Sequence, residues 1–146
     1  EAEAMADDGP PPGPLIDIAG IQISPDGQCA FEEALDLSIT FSTDVPLEYY
    51  SWQVSYIVDT SKRRKVVFLG ATDPANYAPG ENFMAFSVPR LDLEGVPMDV
   101  LSQQNGLLAV VLTGPGGEEA MSVNMVVQVS SGADGSLWRM IFNPME

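Results

Sequence analysis

Apolar and polar residues alternate most clearly over residues 34–58, ALDLSITFSTDVPLEYYSWQVSYIV. Leu35, Leu37, Ile39 and Phe41 fall in one phase, with Asp36, Ser38 and Thr40 in the other. Trp52, Val54, Tyr56 and Val58 repeat the pattern around Gln53 and Ser55. A period of two marks strands with one buried and one wet face. Between the runs, Ser42-Thr43-Asp44-Val45-Pro46 is turn chemistry, and Pro46 has no N–H to give to a central ladder. Two strands alone do not hold in water, so a second sheet is expected over Leu37, Ile39, Trp52 and Tyr56.

The same reading extends along the chain. Residues 15–23 form an early strand, kinked at Gly20, and Ser24-Pro25-Asp26-Gly27 turns it. Residues 66–69 form a short apolar strand ending at Gly70, followed by a loop through Asp73-Pro74 and residues 78–81. Residues 82–88 return as a strand with Met84, Phe86 and Val88 in phase. Residues 89–100 read mostly as loop, with a helical turn as an alternative at Asp99-Val100-Leu101-Ser102. Residues 107–112, LLAVVL, are the most apolar run and predict an interior strand. Residues 121–129 alternate on Met121, Val123, Met125, Val127 and Val129, and residues 137–142 close the chain as a last strand. Roughly seven to eight mostly antiparallel strands, with no long helix, predict an all-β fold, an immunoglobulin-like β-sandwich.

Length and composition fit one domain. The chain has 146 residues, with 13 Gly and 12 Pro, as suits many turns. Residues 15–146 are expected to form the sandwich and residues 1–14 an arm outside it. Glu1-Ala2-Glu3-Ala4 resembles the spacer left when a yeast mating-factor leader directs secretion, which would make Met5 the native start. The following MADDGPPPGP is too polar and Pro-rich to pack, and reads as a disordered linker or a polyproline ligand. No apolar run approaches the roughly 20 residues that span a membrane, so no membrane partner is expected. A single cysteine, Cys29, suits an intracellular protein, nuclear or cytoplasmic, better than a disulfide framework.

Charge and the missing residue types narrow the chemistry. Six basic residues against 21 acidic ones give a net charge of −15, which repels nucleic acid phosphates and suits solubility or a basic partner. There is no histidine, which removes the usual general base, the usual metal ligand and any Ser–His or Cys–His pair. Gly114-Pro115-Gly116-Gly117 lacks the Lys-Ser/Thr of a phosphate loop. Asp92 with Glu94, or Glu118 with Glu119, would be the carboxylates for acid–base work or, with Asp73, for calcium. Tyr49, Tyr50, Trp52 and Tyr77 offer a carbohydrate platform, against a core role for the tryptophan. The expectation is a protein that is not an enzyme and needs no cofactor or metal.

Several motifs in order resemble one family. Leu37-Ser38-Ile39-Thr40-Phe41, an acidic turn and the strand led by Trp52 are similar to the opening strands of the anti-silencing-function histone chaperones. The resemblance continues through Val66-Val67-Phe68-Leu69-Gly70, the run 106–112, Glu119 before an alternating strand, and Arg139-Met140-Ile141-Phe142-Asn143. It implies an immunoglobulin-like sandwich that binds another protein, as a chaperone-like adaptor. The chain departs from the family at Lys65, where a carboxylate stands, at Ala109, where a valine stands, and near Ser122, where the histone-pairing arginine falls. These changes favour a partner other than histones, with a histone chaperone proper as the alternative. On the family's binding face the residues implied are Lys65, Ala109, Val111, Ser122 and Met125, Val111 and Met125 having core positions as the other possibility.

Lys62, Arg63, Arg64 and Lys65 stand together in an otherwise acidic chain. They read either as a solvated loop balanced by nearby acids or as a docking patch for an acidic partner. A second protein-binding surface is open through strand addition at an exposed edge such as residues 137–142.

Overall fold

The computed structural model describes residues 14–59, 64–91 and 105–145. Ten strands run through them: β1 (Ile16–Ser24), β2 (Cys29–Ala30), β3 (Leu35–Thr43), β4 (Leu47–Asp59), β5 (Arg64–Ala71), β6 (Ala75–Tyr77), β7 (Gly80–Val88), β8 (Gly106–Thr113), β9 (Glu119–Ser131) and β10 (Leu137–Ile141). The larger sheet has the order β2-β10-β9-β8-β4-β5, with β6 on the start of β4, and the smaller has the order β1-β3-β7. Every pairing is antiparallel. The chain is an all-β sandwich.

The two central strands occupy the positions their alternation predicts. Leu35, Leu37, Ile39 and Phe41 turn inward from β3, and Trp52, Val54, Tyr56 and Val58 turn inward from β4. Phe41 meets Trp52 edge to face with ring centroids 5.2 Å apart, joining the two sheets directly. From the larger sheet Leu108, Val110, Leu112, Val123, Met125 and Val127 complete the core. Each such side chain contributes about 1.5–3 kcal/mol by leaving water. The interior is therefore where most of the stability resides.

Two elements lay below what periodicity reveals. β6 spans three residues inside the expected loop and pairs Tyr77 with Leu47 and Ala75 with Tyr50. β2 spans two and pairs Ala30 with Trp138 and Cys29 with Arg139. Elements this short cannot display a repeat. The kink expected at Gly20 is a register shift between Ile18 and Gly20 against β3. Residues 1–13, the Asp99–Ser102 alternative, Asp92 and Glu94 lie outside the described residues.

Arg139 is the buried polar feature of the fold, 1% exposed. Its register places it inward from β10, opposite Val129. Nη1 donates to the carbonyls of Ala30 (3.3 Å), Phe31 and Glu33 (2.9 Å), and Nη2 donates to that of Ala34 (3.2 Å). The turn from β2 to β3 is thus folded around a guanidinium, whose planar fork of donors fits several carbonyls at once.

Candidate functional site

The register of the larger sheet decides what its outer face presents. With Val54, Tyr56 and Val58 inward, Gln53, Ser55 and Ile57 of β4 point out. Opposite them stand Val111, Ala109 and Leu107 of β8 on one side, and Ala71, Phe68 and Val66 of β5 on the other. β9 adds Ser122, Asn124 and Val126, paired to Val111, Ala109 and Leu107. Phe142 N donates to Val126 O at 2.9 Å, carrying the ladder one residue past β10. One apolar row therefore crosses four strands and the residue that follows β10, as Phe142, Val126, Leu107, Ile57 and Val66, with Phe68 and Ala109 in the next row.

The ends of that row are open to solvent: Val66 is 57% exposed, Phe68 61%, Val126 42% and Phe142 44%. None of the outward positions just named carries a charge, in a chain of which 18% is charged. The outer face of the smaller sheet is different. Asp17, Asp36 and Glu81 lie on it, with Ser38, Thr40, Ser42 and Ser87 between them and a single exposed aromatic ring, Phe83, opposite Thr40. Depletion of charge together with exposed aromatic and aliphatic side chains is how the centre of a protein interface differs from ordinary surface.

The structure separates the residues singled out from the sequence. Ala109 and Ser122 lie on the outer face, diagonal to each other through Val111 and Asn124. Val111 is half-buried there. Met125 is turned the other way: it pairs with the inward Leu108 and is 1% exposed, so its place is in the core beneath the face. Arg64 and Lys65 are both exposed, but alternation sends Arg64 to the outer side with Val66 and Lys65 to the opposite side, level with Val58. Lys62 and Arg63 lie outside the described residues. The edge at residues 137–142 is half covered, since β2 pairs with Trp138 and Arg139 and Phe31 N donates to Leu137 O.

Ile57, Val66, Phe68, Leu107, Val126 and Phe142 were not among the expected site residues. Their signal was present. A continuous run such as LLAVVL or KVVFL fills both phases of a strand, and the second phase must be either covered or a docking face.

The four aromatic residues proposed for a platform do not all reach the surface. Trp52 is fully buried; Tyr77 packs edge to face on Phe41 at 5.1 Å. Tyr49 is exposed at the register shift of β4, with φ 63 and its N–H donated to Asn76 Oδ1 at 2.9 Å. Among the described residues no three Asp, Glu or Cys side chains converge as a metal site. Glu118 instead turns back on its own loop, accepting from Gly116 N at 2.9 Å.

Among the described residues the displaced ionisations fall in the interior and in one turn. Burial pushes the Tyr56 phenol up to about 12, with the Arg139 guanidinium opposing it. Burial lowers the pKa of Arg139, offset in part by Cys29, Glu33 and Tyr56 nearby. Burial raises that of Tyr77. Hydrogen bonds from Ser136 hold the Asp134 carboxyl below its usual value. A cleft of about 820 Å³ lies between the Ser24–Gly27 turn and the segment following β10, and Asp26 and Asp36 are its ionisable lining groups. Asp36 Oδ1 already accepts from Ser87 Oγ at 2.5 Å.

No protein-family model matches the chain, and no curated protein is significantly similar to it.

Proposed function

We propose that this protein is a non-enzymatic protein-binding module, an immunoglobulin-like sandwich serving as a chaperone-like adaptor, and that the outer face of its larger sheet is the docking surface. The observation that carries the reading is the uncharged apolar row from Phe142 through Val126, Leu107 and Ile57 to Val66, open at both ends. It agrees with the resemblance to anti-silencing-function histone chaperones. The charge distribution favours a partner other than histones. The carboxylates Asp17, Asp36 and Glu81 stand on the opposite sheet, whereas the named cation beside the docking row is Arg64. A strongly basic partner finds no carboxylate among the outward residues of the row to neutralise it.

The test is capture from cell extract on the full chain, followed by hydrogen exchange of each purified complex, with purified histones run alongside. Slowed exchange in β4, β5, β8 and β9 with a non-histone partner is the expected result. Protection confined to β1, β3 and β7 would overturn the assignment of the face, and tight histone binding on the larger sheet would overturn the partner.

A further inference from the structure

We propose that the free edge of β5 accepts an added strand: an extended segment of the partner that alternates apolar and polar residues and places an Asp or Glu beside Arg64 and Lys65. This rests on the docking reading above and specifies how the partner is held.

β5 is the last strand of its sheet. One side pairs with β4 from Asp59 opposite Arg64 to Gln53 opposite Ala71, and no other strand among the described residues pairs with it. Exposed edges present unpaired N–H and C=O groups, and proteins blunt them with proline, charge or a bulge. Val66, Val67, Phe68 and Leu69 include neither proline nor charge, and the register shift falls beyond Phe68. At its far end the strand closes against β7, where a Cβ on Gly70 would stand 3.1 Å from the Phe86 ring. The open template is therefore residues 64–68, short of the shift at Leu69, with charge only at its Arg64-Lys65 end.

Side-chain direction and charge specify the occupant. Main-chain pairing supplies general affinity, and alternate side chains read the neighbouring face. An added strand would lay every second side chain beside Val66 and Phe68, extending the uncharged row by one strand. Arg64 and Lys65 project to opposite faces at one end of the template. A carboxylate on the incoming segment meets a cation there whichever face it takes. By register Asp59 stands opposite Arg64 and the uncharged Val58 opposite Lys65, so the two cations at this end face one carboxylate across the ladder and leave a net positive charge for the incoming segment.

The experiment is selection of a displayed library of random short peptides on the full chain, then hydrogen exchange with the synthesised winners. Alternating sequences with Asp or Glu at one end are expected, slowing exchange in residues 64–68. The R64E/K65E variant should weaken them about tenfold and the F68S variant comparably, with A85K on the opposite sheet unchanged. Each variant is first checked for unchanged thermal unfolding. Winners with apolar residues spaced three and four apart, protecting β8 and β9, would overturn strand addition and leave the docking face standing. A dimer that protects β5 without peptide would overturn it in favour of a second copy of this chain. Failure to select any peptide that protects the larger sheet would overturn both.

Discussion

The ring of Tyr56 fills the inward position of β8 that Gly106 leaves empty. A Cβ at Gly106 would stand 2.4 Å from both the Tyr56 ring and its hydroxyl oxygen. The backbone there needs no positive φ, so the requirement is for space alone. Gly106→Ala should destabilise the fold by about 1–3 kcal/mol through overpacking. Urea unfolding of G106A checks the cost. The double variant with Tyr56→Leu should recover part of it, because the colliding atoms are gone.

Arg139 holds the turn from β2 to β3 by donating to four main-chain carbonyls. Arg139→Met keeps much of the volume but leaves those carbonyls without their donor. A loss of roughly 2–4 kcal/mol follows from stranding buried acceptors of a charged donor. Arg139→Lys should fall between, since an ammonium cannot span the same fork. Chemical denaturation reads both, and faster amide exchange at Phe31 and Leu91 would place the damage in this turn.

Among the described residues the Tyr56 hydroxyl is buried without a hydrogen-bond partner, and burial raises its pKa from 10.0 to about 12. The unfolded chain therefore releases this proton first as pH rises. The contribution is whole below pH 10 and lost between 10 and 12, by roughly 2 kcal/mol. Tyr56→Phe should be close to neutral at pH 7 and should flatten the fall in stability across that alkaline window. Unfolding curves of the two proteins across the window give the comparison.

Arg90 and Glu32 form an ion pair at 2.8 Å with both side chains more than half exposed. Such pairs contribute about 0–1 kcal/mol and weaken with salt. Arg90→Ala should shift thermal unfolding little at low salt and not at all in molar salt.

The sandwich was legible because β3 and β4 alternate without interruption and β9 keeps phase from Met121 to Val129. Alternation needs several residues to show itself, so β2 and β6 left no trace. Arg139 gave no sign of burial either, because its partners are carbonyls more than a hundred positions away in the chain. The candidate face was only half legible. Ala109, Val111 and Ser122 lie on it, but which phase of LLAVVL faces out depends on the pairing of β8 with β4 and β9. Met125 shows the same limit: its strand was evident and its direction was set by Leu108 opposite.

Ala109 and Ala85 stand on the outer faces of the two sheets, Ala109 8% exposed between its neighbours and Ala85 open to solvent. The most direct measurement is the affinity of a captured partner for A109K and for A85K, each variant shown to unfold at the temperature of the parent. A docking surface on the larger sheet predicts that A109K loses the partner by at least about tenfold while A85K retains it. Retention by A109K with loss in A85K would contradict the account and move the interface to the acidic sheet.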